Sequence, residues 1–427
     1  MTKIALIHVH SFYNAGDAAL TQTAEQNLQE HFPGSQITLL MNDPASYQGD
    51  KRVVPSFLTW VQRPGGNQRL RFAWLVLTSW LAIASRRLTD RALYLPWTAG
   101  LRPALEVILS ADLVVSTPGG YLYSYGRGRA LQILLTTFLI ALWAGKPLYL
   151  LPQSYGPFKS QLERRLAGTV FRRSRLVMAR EAASLDHIAA CGYPGEKCIL
   201  LPDMAFAFQS AGSEQAQDLL ARLSVASGRP RLGVTVINWG EQFPGFNQQQ
   251  EYEQTMAASL RSFLHQHPDG RVIFFPQCWG PSANEDDRIP ARRIADQLTD
   301  FGTAVTVVDS PLAPDLLSAA FGQMDLFVGT RMHSNIFALS HLVPVIAVGY
   351  LHKHRGIAEL VGIPEWVCDI RQLDADRLTT RLEALWEQRE ALEAHLQTVI
   401  PVLKAQARQA GQLIAQDYST LKVQNNP

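Results

Sequence analysis

An arginine and a histidine flanking one methionine carry the strongest chemical signal in this chain. Arg331-Met332-His333 follows an apolar run at 324–328 and the turn Gly329-Thr330, and it leads into a helical segment at 334–341. An arginine can fork around a carboxylate or phosphate, and a histidine two residues on can move a proton near neutral pH. The amides that open the helix add attraction for an anion. The tripeptide leaves two readings open: a small anionic substrate handled at this turn, or a buried arginine paired to a core acid beside a packed histidine.

Such a turn meets a ligand only if a sheet presents it. Apolar runs of strand length recur at 4–9, 36–40, 113–116, 147–151, 176–179 and 199–201, each followed by helix-length sequence. This is the alternation of a parallel sheet covered on both faces. The rhythm lapses between 209 and 230, a polar, turn-rich stretch, and resumes at 232–237, 272–275, 304–308, 326–328 and 345–348. The fold class is therefore α/β with two tandem Rossmann-like domains, expected at 1–210 and 229–372. Residues 373–422 read as C-terminal helices with one leucine stripe, broken at Pro401.

Ligands of open parallel sheets bind beyond the carboxyl ends of the strands, so the residues there are the candidates. In the first half they are Asn14, Gly16 and Asp17, with Gly16 expected to allow a tight turn and Asp17 to cap the next helix; Gly119 and Gly120 beside Tyr121, a ring on which a sugar could stack; and Gln153, Arg180 with Glu181, and Asp203. In the second half they are Asn238-Trp239-Gly240, Gln277, the Arg331 turn, and Lys353 one strand over from Arg331. Taken singly, each is an ordinary loop or ion pair. Together they outline a polar site.

Composition narrows the partners. A formal net charge of +2 in 427 residues argues against nucleic acid bound through bulk charge. Cys191, Cys198, Cys278 and Cys368 lack zinc-site spacing and suggest no disulfide framework, which suits a reducing cytoplasm. His8/His10 and His352/His354 are spaced i, i+2 without companion acids, so no metal is assigned. Met1-Thr2-Lys3 leads directly into a strand and does not read as a signal peptide. The apolar stretches 72–85 and 131–144 are too short to span a bilayer. The first has arginines on both sides and contains Trp74 and Trp80; covering the sheet is its favoured role, and peripheral contact with the inner face of the cell membrane is the alternative.

These residues, in order, resemble the polysaccharide pyruvyl transferase family. The likeness rests on Gly16-Asp17-Ala18-Ala19-Leu20, Pro118-Gly119-Gly120, Gln153-Ser154-Tyr155-Gly156-Pro157, Ala179-Arg180-Glu181 with Ser184, Pro202-Asp203 with Ala205-Phe206, Arg331-Met332-His333, and Tyr350 through Lys353 to Gly356. The resemblance implies a GT-B-like fold with its active site in the interdomain cleft. It also implies transfer of a pyruvyl group from phosphoenolpyruvate, a co-substrate, to a saccharide acceptor that is often lipid-linked. The product would be a cyclic pyruvate ketal of cell-surface polysaccharide biosynthesis, made without a further cofactor.

By that resemblance Arg331 and His333 act around phosphoenolpyruvate and Lys353 joins them on the anion; the chemistry of ketal formation further calls for a group to position or deprotonate an acceptor hydroxyl, for which Asp17 or Asp203 is the candidate. Where some relatives have an arginine in the strand opening the second domain, this chain has Thr235-Val236-Ile237-Asn238-Trp239. A GT-B glycosyltransferase using a nucleotide sugar and a non-catalytic saccharide-binding relative are the competing expectations.

Overall fold

The computed structural model describes residues 1–124, 129–195, 197–223, 225, 228–238, 248–349 and 352–425. Trp239, Gly240, Tyr350 and Leu351, singled out above, lie outside them. The chain forms two compact units, one of Met1–Phe12, Leu20–Met204 and Gln406–Pro427, the other of Tyr13–Ala19 and Ala205–Ala405.

In the first unit the described strands are β1 (Lys3–Val9), β2 (Gln36–Met41), β3 (Arg52–Pro55), β4 (Leu113–Ser116), β5 (Gly119–Leu122), β6 (Leu148–Tyr155), β7 (Leu176–Ala179) and β8 (Cys198–Leu200). They form a parallel sheet in the order β3-β2-β1-β4-β6-β7-β8, with β5 also paired to β6. Every residue of β4 and β6 is buried, as strands covered on both faces require. The helix Ala130–Trp143 is apolar on almost all sides and correspondingly buried at Leu131 and at every position from Ile133 to Ala141. Ser160 and Glu163 close a reciprocal cap on the helix Gln161–Arg173 that follows β6.

The second unit holds β9 (Arg231–Thr235), β10 (Arg271–Phe274), β11 (Val305–Val307), β12 (Leu326–Gly329), β13 (Val345–Gly349) and β14 (Val367–Asp369), parallel in the order β11-β10-β9-β12-β13-β14. In each sheet the order reverses beside its first strand, between β1 and β4 and between β9 and β12. Loops leaving the strands on either side of that point diverge, which opens a crevice at their carboxyl ends. Arg331 leaves β12 at the reversal of the second sheet.

Several local expectations change. Gly119-Gly120 belongs to strand β5 and Gln153 lies inside β6, both expected in loops. β6 runs through Pro152 because the register with β7 shifts between Leu150 and Gln153, where a residue without an amide hydrogen is tolerated. The division between units falls after Met204 and the C-terminal tail is shared between them. The helix Ala375–Ala407 continues through Pro401 and ends at Arg408, and the last helix, Gln409–Asn425, packs with the first unit. There Asn27 donates to the Arg408 carbonyl and accepts from the Gly411 amide, while Asp417 bonds Tyr149 and Arg175. Among the described residues no helix is long and apolar enough to cross a membrane.

Candidate functional site

The second unit gathers the Arg331 turn, the loop after β10 and residues 13–19 of the chain. Arg331 opens the helix Met332–Ser340 from extended backbone, with φ −86° and ψ 129°. Its side chain meets Asp287 side-on: Nη2 donates to Oδ1 at 2.6 Å and Nε to Oδ2 at 3.0 Å. Asp287 is fully buried, and its Oδ2 also accepts from the amides of Gln277 and Cys278, at 3.3 and 3.0 Å. Burial raises the Asp287 carboxyl above its ordinary value, while Arg331 and those amides pull it back. Burial pushes the Cys278 thiol beside them up to about 12, which favours its neutral, packed form.

The turn itself is tied on three sides. The Thr330 amide donates to the Thr235 carbonyl and its hydroxyl meets Tyr252 Oη at 2.8 Å. Ser334 Oγ donates to the Arg331 carbonyl and bonds Thr235 Oγ1 at 2.7 Å. Thr235, in the strand where some relatives have an arginine, is therefore a strut for the Arg331 turn. Asn335 donates to the Gly329 carbonyl and lies so close to Gly329 that a Cβ there would collide with its amide. His354 Nε2 lies 3.3 Å from the Thr330 carbonyl.

Residues 13–15 pair antiparallel with the loop after β10: the Ala15 amide donates to the Gln277 carbonyl, and that of Trp279 to the Tyr13 carbonyl. The helix Ala15–His31 is capped by Asn14, whose Oδ1 accepts from the amides of Gly16 and Asp17, at 3.0 and 3.4 Å. This corrects the assignment of the cap to Asp17, which sits half-buried in the first turn. Gly16 has no left-handed backbone, contrary to the expected tight turn; it is needed for close approach. A Cβ on Gly16 would overlap the His333 ring and come within 2.6 Å of Gln277 Nε2. Among the described residues the buried Gln277 Oε1 has no hydrogen-bond partner. Asn14, Gly16, Asp17, Gln277, Arg331 and His333 are thus one cluster, and Lys353 stands half-buried in the first turn of the helix His352–Val361, after the strand beside β12.

Gly119, Gly120, Gln153, Arg180 and Asp203 form a second group, in the first unit. Arg180 has no exposed side-chain surface; it donates to Asp203, to Glu181 at 3.3 Å and to Ser154 Oγ at 2.8 Å. Gly120 packs on this guanidinium, 2.6 Å separating a notional Cβ from Nη2. Gln153 is buried and donates to Ser116 Oγ at 3.0 Å. Tyr121 is also buried, donates to the Thr117 carbonyl and packs edge-on to His8, so it offers no face for a sugar. Arg180 and Asp203, expected to bind substrate, form an interior ion pair, since charges removed from water persist only when paired.

Asp287 escaped the sequence reading. Its signal was the run Glu285-Asp286-Asp287-Arg288, but only the fold separates the roles, Asp286 pairing with Arg288 and Asp287 with Arg331. Among the described residues no group of three or more His, Cys, Asp or Glu could hold a metal ion.

Two Rossmann-like units with this strand order define a GT-B-like protein. Solved structures of that kind align along almost the whole chain. Anabaena Alr3699/HepE in complex with UDP aligns with a TM-score of 0.56 at 14% identity, covering 98% of this chain and 100% of that one. The UDP-GlcNAc 2-epimerase of Neisseria meningitidis gives 0.56 at 13% identity, with the same coverage. At such identities the likeness concerns the fold. The chain belongs to the polysaccharide pyruvyl transferase family, whose profile matches residues 14–352. It is 23% identical over 402 residues to the amylovoran biosynthesis protein AmsJ of Erwinia amylovora, covering 92% of this chain and 94% of that protein. Family membership makes it a transferase of polysaccharide biosynthesis.

Proposed function

We propose that the protein transfers the pyruvyl group of phosphoenolpyruvate to two hydroxyls of one saccharide, forming a cyclic ketal and releasing phosphate. The observation that carries this reading is the cluster in which a guanidinium held by Asp287 stands two residues from an imidazole packed on Gly16. Arg331, oriented by Asp287, would meet the donor's carboxylate or phosphate, and Lys353 would add a second charge. His333 would deliver a proton to the methylene carbon or bind the phosphate. Protonation makes the methyl group and leaves an oxocarbenium-like C2; one hydroxyl oxygen bonds C2, and a second displaces phosphate from it. Asp17, in the first turn of the helix beside His333, would accept a proton from an acceptor hydroxyl.

The test is to incubate the protein with phosphoenolpyruvate and a panel of saccharide acceptors, following phosphate release and, by mass spectrometry, the added ketal. Arg331→Ala should lower donor use on the order of 10²–10³-fold, as for loss of a charge-stabilising group. Wild-type-like turnover in that variant would reject the assignment, and thermal stabilisation by nucleotide sugars but not by phosphoenolpyruvate would replace the donor.

A further inference from the structure

The helix Gln68–Thr89 carries apolar side chains on its exposed face as well as on its buried one. Its buried positions are Leu75, Thr78, Ser79, Ala82, Ile83 and Ser85, half of them hydroxyl residues. The hydroxyls bond locally, Thr78 to Thr98, Ser79 to the Leu75 carbonyl and Ser85 to that of Ala82, so no ligand or further chain is needed to satisfy them. Four large apolar side chains on the opposite face are exposed to solvent: Leu70, Leu77, Trp80 at 61% exposure and Leu88 at 85%. At 100° per residue these four fall within an arc of roughly 80°. Leu93 and Trp97 continue the exposed surface beyond the helix, with Trp97 edge-on to Trp74 at 5.3 Å between ring centroids. The helix packs on the helices Phe57–Gln62 and Ala130–Trp143, and its Leu75, Ala82 and Ile83 join the core cluster that includes Ala5, Ile7 and Val114 of the sheet, in keeping with its expected covering role.

Charge says what this stripe faces. Residues 63–91 contain Arg63, Arg69, Arg71, Arg86, Arg87 and Arg91 against a single acid, Asp90. A second copy would set arginines against arginines, whereas a lipid surface with anionic headgroups supplies both the opposite charge and an apolar layer for leucine and tryptophan. The same helix, through Trp80 and Arg87, lines a cleft of about 1260 Å³ whose other walls include Trp143, Lys146, Arg173 and Lys422. Asp112, Pro147 and Arg175, also in its lining, immediately precede β4, β6 and β7, so the cleft lies at the amino ends of those strands. Contact there leaves the carboxyl ends of the sheet uncovered.

We propose that the exposed face of Gln68–Thr89, with Leu93 and Trp97, docks the protein on a membrane surface bearing anionic headgroups. This holds whatever the donor and acceptor prove to be. The full chain should sediment with vesicles containing phosphatidylglycerol and not with vesicles of phosphatidylcholine alone, and added salt should release it. Leu77→Glu/Trp80→Glu and, separately, Arg86→Glu/Arg91→Glu should each cut that partitioning at least tenfold while leaving thermal melting and turnover of a soluble acceptor unchanged. Equal binding to both kinds of vesicle, or full binding by folded variants, would overturn the proposal. So would a concentration-dependent dimer in sedimentation velocity, abolished by the Leu77/Trp80 variant, in a protein that ignores vesicles.

Discussion

Asp287 takes the side-on edge of Arg331, and the same carboxylate oxygen that accepts from Nε also accepts from two main-chain amides after β10. One buried acid therefore orients the guanidinium and fixes the loop against which Gly16 packs. Asp287→Asn keeps the shape and removes the charge. It should cost about 3–5 kcal/mol of stability, since the arginine loses its counter-ion, and lower donor turnover as well. Urea denaturation and steady-state kinetics check the two effects; unchanged kinetics in a destabilised variant would reduce Asp287 to a structural acid.

Gly16 touches His333 and Gln277 more closely than any side chain permits. Gly16→Ala should displace the imidazole and cost about 1–3 kcal/mol, the range for overpacking, with a fall in kcat beyond the loss of folded protein. Circular dichroism at the assay temperature separates the two. A variant with wild-type melting and wild-type kcat would mean that the helix start shifts without consequence.

Arg180 distinguishes an interior strut from a binding residue. Because its side chain is buried against Asp203, Glu181 and Ser154, Arg180→Met should destabilise the first unit by about 3–5 kcal/mol. A direct contact with the acceptor predicts another pattern, a raised acceptor KM at unchanged melting temperature, and kinetics beside calorimetry decide between them.

His341 sets a pH dependence. Burial, with a smaller effect of Lys404, lowers its imidazole to about 4, and Nε2 lies 3.0 Å from Ser210 Oγ. A base with a depressed folded value contributes stability that is complete above its unfolded value near 6.5 and is lost as pH falls toward 4. Across that window the wild type should lose about 1.4 kcal/mol per pH unit more than His341→Gln. Parallel stability curves for the two proteins from pH 7 to pH 4 would contradict this.

The rhythm of apolar runs was legible along the chain because a strand buried on both faces must be apolar throughout, as in β4 and β6. Short edge strands were not: Arg52–Pro55 and Val367–Asp369 carry little apolar signal and exist because a neighbour offers backbone partners. Pro401 read as a break, yet a proline interrupts only local hydrogen bonding, and the surrounding helix continues through it. On Gln68–Thr89 the apolar residues were legible, but which way they face was not, since that depends on what the rest of the fold leaves uncovered.

From residue types and order alone came the two Rossmann-like units, the resemblance to the family, and Arg331 with His333 as the proposed chemical centre. Spacing expresses local periodicity and strand-end position, and both are properties of neighbouring residues. Tertiary structure decided what each charge answers to. Asp287 lies 44 residues from Arg331 and joins it only when β10 and β12 flank β9. Arg180 is neutralised within the first unit, and Gly16 reaches His333 across most of the chain. A charge pairs through space, and no local pattern records which distant partner the fold will deliver.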